Sequence, residues 1–168
     1  DVMEDQKRLA PDVDHSEREQ LIAREDFFQN YFNTRTRGTD MNGKAIQPYV
    51  WNGRTTGCEA GSIDIDMQNK VANRINYFRR NAGVPEVLLD EATNEYCQKA
   101  ALMMTANKSL THDPPKTWRC WSGEGAYAAK HSLLIKDEKN TMAATYIMDD
   151  KIPAAGNRRW LLYPNGRV

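Results

Sequence analysis

Apolar side chains recur at helical spacing along much of this chain. The clearest stretch begins after Ser62 or Asp64, either of which can act as the N-cap, and its apolar positions are Met67, Val71, Ile75 and Phe78. Side chains spaced in this way fall on one face of an α-helix. The segment Asn81-Ala82-Gly83, followed by Pro85, indicates where this helix ends.

A second helix is predicted from Asp90, its N-cap, to about Asn107. Two adjacent stripes of small and apolar residues run along it: Tyr96, Ala100 and Met103, and Cys97, Ala101 and Met104. Further helices are predicted at Glu17–Phe32, Gly125–Lys130 and Lys139–Met148. The bulky and aromatic residues of Arg158–Tyr163 predict a β-strand instead.

The chain divides into two parts of different character. Residues 1–61 hold a charged arm, an aromatic-rich amphipathic helix and a connector rich in Gly and Asn, whereas residues 62–168 hold the remaining predicted helices and the strand. We expect the second part to be one folded domain. Its predicted strand ends in the turn Pro164-Asn165-Gly166 with no return strand, which favours a domain truncated after Val168.

Composition excludes two classes of function. The chain has 168 residues, of which 40% are hydrophobic and 27% charged, as is typical of a globular domain. Its formal net charge is +0, so it has no basic field that would attract nucleic acid. No apolar run is long enough to form a transmembrane segment.

The three cysteines leave two interpretations open. Cys58 lies in a Gly-rich loop and Cys120 between two tryptophans. A bridge between them would tie the N-terminal extension to the segment before Glu124 and would imply an oxidising compartment. Three reduced thiols in a cytosolic protein are the alternative, which the odd cysteine count slightly favours. Cys97, within a predicted helix, is expected to be a buried free thiol.

His112 and Glu124 are the first candidates for a functional cleft. His112 is held in a stiff loop before two prolines, and glycines on both sides of Glu124 leave its carboxylate open to a groove. Each also has an ordinary explanation. The imidazole can simply be satisfied by a backbone carbonyl at the surface, and the carboxylate can be a solvated group in a turn.

Two further candidates lie near the C-terminal end. Asp149 and Asp150 end a predicted helix, where acids oppose the macrodipole, so local stability does not explain them. They are either functional acids or caps of the turn that follows. Arg158 and Arg159 alternate along the predicted strand, so only one of them can face a cleft.

Three segments in this order resemble the CAP superfamily of cysteine-rich secretory proteins, venom allergens and plant pathogenesis-related proteins. They are Leu110-Thr111-His112, Ser122-Gly123-Glu124-Gly125 and Gly156-Asn157-Arg158-Arg159-Trp160. The last is similar to the Gly-His-Arg-Arg-Trp segment of bacterial members with an SCP-like extracellular domain. The resemblance runs from about Met67 to Pro164.

The resemblance implies an α+β fold, the three-layer α-β-α sandwich of the family, whose closing strands would lie beyond Val168 or on a companion segment. It also favours the Cys58–Cys120 disulfide. The family cleft holds two His and two acids. Here the cleft would hold His112, Glu124 and either Asp149 or Asp150. Asn157 would replace the second His, and Arg158 would lie beside it.

The cleft tetrad of several family members binds a divalent metal, often zinc. An amide oxygen is a poor zinc ligand and suits calcium or magnesium better. We therefore expect His112 and Glu124 to bind zinc or calcium weakly, if at all, and assign no firm cofactor. The metal site would be degenerate.

The resemblance leaves three functions open. The first is an extracellular, periplasmic or cell-surface binding module that takes a lipid, a glycan or a protein partner. The second is a metal-dependent hydrolase, with Glu124 as general base and His112 as ligand or acid. The third is a protein–protein interaction scaffold, whose N-terminal arm recruits a partner.

The degenerate cleft gives a first prediction. Asn157→His should raise the affinity for zinc, since it restores an imidazole ligand. Calorimetric titration of zinc and calcium into both proteins measures the difference. Equal zinc affinities would mean either that Asn157 does not occupy the position of the second His or that the expected cleft geometry is wrong.

Overall fold

The computed structural model describes residues 13–136 and 155–164. Five helices account for about half of these residues: α1 (Val13–Asn33), α2 (Ile65–Asn81), α3 (Glu91–Asn107), α4 (Gly123–His131) and α5 (Gly156–Leu161). Extended pairing within the same residues is limited to three isolated antiparallel bridges: Thr39–Ala45, Trp51–Ile63 and Arg54–Glu59. The described part of the chain therefore supplies helices of an α–β fold but not the sheet of a sandwich.

Helices α2 and α3 begin at their predicted caps. Asp64, not Ser62, caps α2, since its carboxylate accepts a hydrogen bond from the backbone N–H of Met67 at 2.8 Å. Asp90 caps α3 in the same way, accepting from Thr93 N at 2.7 Å. Such a cap is worth about 1 kcal/mol because it satisfies an N–H that has no partner within the helix.

The core between α3 and α4 depends on small side chains. Ala100 and Met104 of α3 pack with Ala128 and Ala129 of α4, and all four are buried. Gly125 lets the helices approach closely, because a Cβ at this position would lie 2.9 Å from Met103 Cε and 3.0 Å from a backbone carbon of Lys99. The predicted stripes on α3 are confirmed except at Ala101, which is exposed.

Arg74 holds the end of α1 against α2. Its buried guanidinium donates to the backbone oxygen of Tyr31 at 3.0 Å and to the hydroxyl of Thr34 at 3.2 Å. The same group lies 4.5 to 5.1 Å from the ring centroids of Tyr31, Tyr77 and Phe78. A cation over aromatic faces is favourable, the more so when water is excluded.

The connector after α1 is closed on itself by Trp51 and joined to the loop before α4 by a disulfide. The indole of Trp51 donates to the backbone oxygen of Ala60, another connector residue, at 2.8 Å, whereas Tyr49 and Val50 are exposed. The predicted Cys58–Cys120 disulfide is confirmed and joins residues 62 positions apart. Closing a loop of this length stabilises the fold by about 4 kcal/mol in the chain-entropy model.

Arg79 joins three parts of the chain through its guanidinium. It is 1% exposed, and its hydrogen-bond acceptors are the backbone oxygens of Pro85 at 2.6 Å, Leu161 at 2.6 Å, Tyr163 at 3.1 Å and Pro164 at 3.4 Å. The last three belong to α5 and the residues just after it. One buried charge therefore fixes the exit of α2 and the end of α5.

The strand predicted over Arg158–Tyr163 is wrong, because Gly156–Leu161 forms the helix α5. A strand needs a paired neighbour, and the described residues place none beside this segment. Arg and Leu are good helix formers, and Arg79 satisfies carbonyl groups that the helix end would leave unpaired. Arg158 and Arg159 consequently do not alternate across a sheet, and both are exposed. The helix predicted at Lys139–Met148 lies outside the described residues.

The role of Arg79 can be tested against its neighbour. Arg79→Lys should lower the free energy of unfolding by about 2–4 kcal/mol. An ammonium group cannot reproduce the planar set of N–H donors of the guanidinium, so buried carbonyl groups would lose their hydrogen bonds. Arg80→Lys is the matched control, since Arg80 forms an exposed ion pair with Glu86 that Lys can keep. It should change stability by less than about 0.5 kcal/mol. Urea unfolding measures both, and equal losses would contradict the assignment.

Candidate functional site

His112 lies in the loop between α3 and α4 and is anchored to α4. Its Nδ1 is 2.7 Å from the backbone oxygen of Ala129. A carbonyl oxygen only accepts, so Nδ1 carries the proton and Nε2 is the acceptor nitrogen of the neutral ring. The side chain is exposed, and this backbone bond fixes its orientation.

Glu124 lies in the first turn of α4 rather than in a glycine-rich turn. Ser122 caps this helix by accepting a hydrogen bond from Gly125 N at 3.1 Å. The carboxylate is half exposed and lies 3.6 Å from the Nζ of Lys99 on α3. An acid in the first turn of a helix also interacts favourably with the macrodipole.

The environment of Glu124 favours its ionised form. The pKa of this carboxyl is lowered from 4.5, first by the hydrogen bond from its own backbone N–H and second by the positive charge of Lys99. Glu124 is therefore an anion at neutral pH. The interactions of the ionised carboxylate stabilise the fold fully at a pH above the pKa of Glu124 in the unfolded chain. This stabilisation is lost as the pH falls through the lower pKa of Glu124 in the folded protein.

The structure attaches His112 and Glu124 to the same short helix. The imidazole binds Ala129 O, five residues after Glu124, which corresponds to about 7.5 Å along the helix axis. Asn157 lies in the first turn of α5 and is half-buried, and the neighbouring Arg158 is exposed. Asp149 and Asp150 lie outside the described residues. The proposed tetrad is thus only partly described.

The described residues do not supply a set of donor groups for a metal ion. No three His, Cys, Asp or Glu side chains within residues 13–136 and 155–164 come together in a way that could hold a metal ion. Glu124, the carboxylate assigned to such a site, already faces the ammonium of Lys99. The described residues by themselves therefore do not fit a zinc or calcium ion.

A pocket of about 550 Å³ lies beside Ser122 and the disulfide. Its walls include Lys99 of α3, the loop residues Lys116, Trp118 and Trp121, and Cys58 and Ala60 of the connector. The local sequence gives one signal for this pocket, the two tryptophans on either side of Cys120. It does not reveal that Lys99 and the connector meet this loop, because these segments are far apart along the chain.

Comparison with known families identifies the class of this protein. The model of the cysteine-rich secretory protein family, CAP, matches residues 72–166, which is more than half of the chain. The chain therefore belongs to the CAP family, as the motif order predicted. Neither the curated proteins nor the solved structures contain a significant match.

Family membership has general consequences for fold and location. CAP domains have an α–β fold and are typically extracellular modules that bind ligands or other proteins. The Cys58–Cys120 disulfide is consistent with an oxidising compartment. Among the residues that the structure describes, no helix combines the length and apolar character needed to cross a membrane.

The contact between Lys99 and Glu124 predicts a change in titration. Lys99→Met should raise the pKa of Glu124 only part of the way to 4.5, because the larger cause, the backbone hydrogen bond, remains. Carbon-detected NMR of the side-chain carboxyl group follows this pKa directly. Lys130→Met, in the last turn of α4, is the control and should leave it unchanged. Equal shifts in both variants would show that general charge, not the contact, sets the pKa.

Proposed function

We propose that this protein is a non-enzymatic binding module that works outside the cell, in the periplasm or at the cell surface. Its cleft lies around His112 and Glu124 and takes a lipid, a glycan or a protein ligand. The observation that carries this proposal is the state of Glu124, an anion held between its own backbone N–H and Lys99. Such a group offers fixed charge for recognition.

The same observation argues against a hydrolase. A general base works best when its pKa is close to the operating pH, and enzymes raise the pKa of a catalytic Glu by burial to achieve this. Glu124 is half exposed and its pKa is moved in the opposite direction. The metal-dependent hydrolase considered above would also need a metal site, for which the described residues bring together no suitable cluster.

Ser122 likewise has a structural role that accounts for its position. Its hydroxyl oxygen accepts the bond from Gly125 N that begins α4. A catalytic serine needs a base within hydrogen-bond reach of its hydroxyl. His112 does not serve as this base through Nδ1, because that nitrogen is hydrogen-bonded to Ala129 O, at the opposite end of α4 from Ser122.

An interaction scaffold is the second candidate, and α1 favours it. Phe27 and Phe28 are 48% and 57% exposed, although Phe27 also packs on Tyr77 of α2 with ring centroids 5.6 Å apart. Exposed aromatic side chains on a helix are a common basis of protein–protein contacts. Self-association through α1 would support this function over ligand binding.

A comparison of two helix-terminal acids tests the binding module. Small molecules that co-purify with the protein are extracted into organic and aqueous solvent and quantified by mass spectrometry per mole of protein. Glu124→Ala should reduce the bound amount several-fold, because the anchoring charge is lost. Glu91→Ala is the matched control, since Glu91 is likewise an acidic residue in the first turn of its helix, α3.

Hydrolysis is measured on the same samples with ester, peptide and glycoside substrates. We expect no turnover above background in any of them. Turnover that disappears in Glu124→Ala, with an unchanged circular dichroism spectrum, would overturn the proposal in favour of a hydrolase. A protein with neither bound molecules nor turnover would leave the scaffold as the function.

A further inference from the structure

The pocket beside the disulfide carries positive charge that the cleft around His112 does not explain. Lys99 and Lys116 both line it, and no carboxylate is found among the described residues of its walls. The chain as a whole has a formal net charge of +0, so this is a local concentration of charge. An electropositive pocket favours an anionic ligand.

One carboxylate competes for this charge from outside the pocket. Glu124 lies 3.6 Å from Lys99, which also lies 5.8 Å from the ring centroid of Tyr96. Lys116 is exposed, and the contact that the structure gives its ammonium group is the ring of Trp121, 5.7 Å from the centroid. Lys116 is therefore the cation best placed to bind an incoming anion.

The charge is combined with aromatic surface. Trp121 and Trp118 both line the pocket, and Trp118 also packs against the core between α3 and α4. The indole of Trp121 is fixed by donation to Pro114 O at 3.2 Å. Rigid aromatic faces carry partial negative charge and attract the C–H groups on one face of a sugar ring.

Part of the pocket wall lies outside the segment that matches the family model. Cys58 and Ala60 belong to the connector, outside the segment 72–166 that matches the family, and the disulfide brings them against the loop of Lys116 and Trp121. A volume of about 550 Å³ lies within the range of small-ligand sites. A lipid tail needs a continuous apolar wall, and here lysines and Ser122 interrupt it.

We propose that this pocket binds an anionic saccharide, with a carboxylate or sulfate group at Lys116 and Lys99 and a sugar ring against Trp121. The proposal rests on the proposed function as a binding module and names the ligand class of a site beside the cleft. Uronic acids and sulfated sugars share this chemistry, so the test includes both.

Binding is measured by calorimetry and by tryptophan fluorescence at low ionic strength. The probes are a tetrasaccharide of galacturonic acid, a heparin-derived tetrasaccharide, neutral chitotetraose and inorganic sulfate. At least one anionic tetrasaccharide should bind at least tenfold more tightly than chitotetraose and sulfate. Its affinity should fall as salt is added.

The variants separate charge from stacking. Lys116→Met should weaken binding of the preferred tetrasaccharide about tenfold, whereas Lys130→Met, an exposed lysine on α4, should leave it unchanged. Trp121→Phe should weaken binding and reduce the fluorescence change. Circular dichroism checks that each variant is folded.

Three results would overturn the inference. Equal affinity of wild type and Lys116→Met would exclude the lysine site. Equal affinity for anionic and neutral tetrasaccharides would exclude charge as the basis of recognition, and equal affinity for sulfate and the tetrasaccharides would indicate a simple anion site. These three results leave the proposed function untouched. The binding module would still be supported if the co-purified molecules are lost in Glu124→Ala and retained in Lys116→Met.

Discussion

The buried guanidinium of Arg79 is the interaction on which the arrangement of the domain depends. A charge that is 1% exposed must be surrounded by hydrogen-bond acceptors, and here backbone oxygens from the exit of α2 and from the end of α5 provide them. The consequence is a contact between segments 82 or more positions apart in sequence. Together with the packing of Leu161 on Ile75 and Val87, it fixes the end of α5 beside α2.

A second constraint, the close approach of α3 and α4, positions the candidate site. Gly125 and the alanines of both helices remove the side-chain volume that would keep them apart. Lys99 of α3 consequently reaches Glu124, and the loop between the helices folds back so that His112 binds Ala129 O. Recognition chemistry and core packing are therefore properties of the same helix pair, and a substitution in one is expected to affect the other.

Two features of the candidate site support the binding module proposed above. Glu124 is an anion with a lowered pKa, and His112 is oriented by a backbone carbonyl. Beside them, the disulfide places the connector against Lys99 of α3 and a loop that carries Lys116 and two tryptophans. Lys99 belongs to both regions, so charge in the cleft and charge in the pocket are linked through a single ammonium group.

Local sequence determined the helices α2 and α3, their caps and the buried face of each, because helix formation depends on neighbouring residues and a short polar side chain at the start. Motif order along the chain also predicted the CAP family and its disulfide. Only the tertiary structure decided that Gly156–Leu161 is a helix, since Arg79, far away in sequence, supplies the N–H donors that bind the carbonyl oxygens at the end of this helix. It also brought Lys99 beside Glu124 and the connector beside Lys116, because charge pairing and pocket walls depend on distances between segments that no local pattern records.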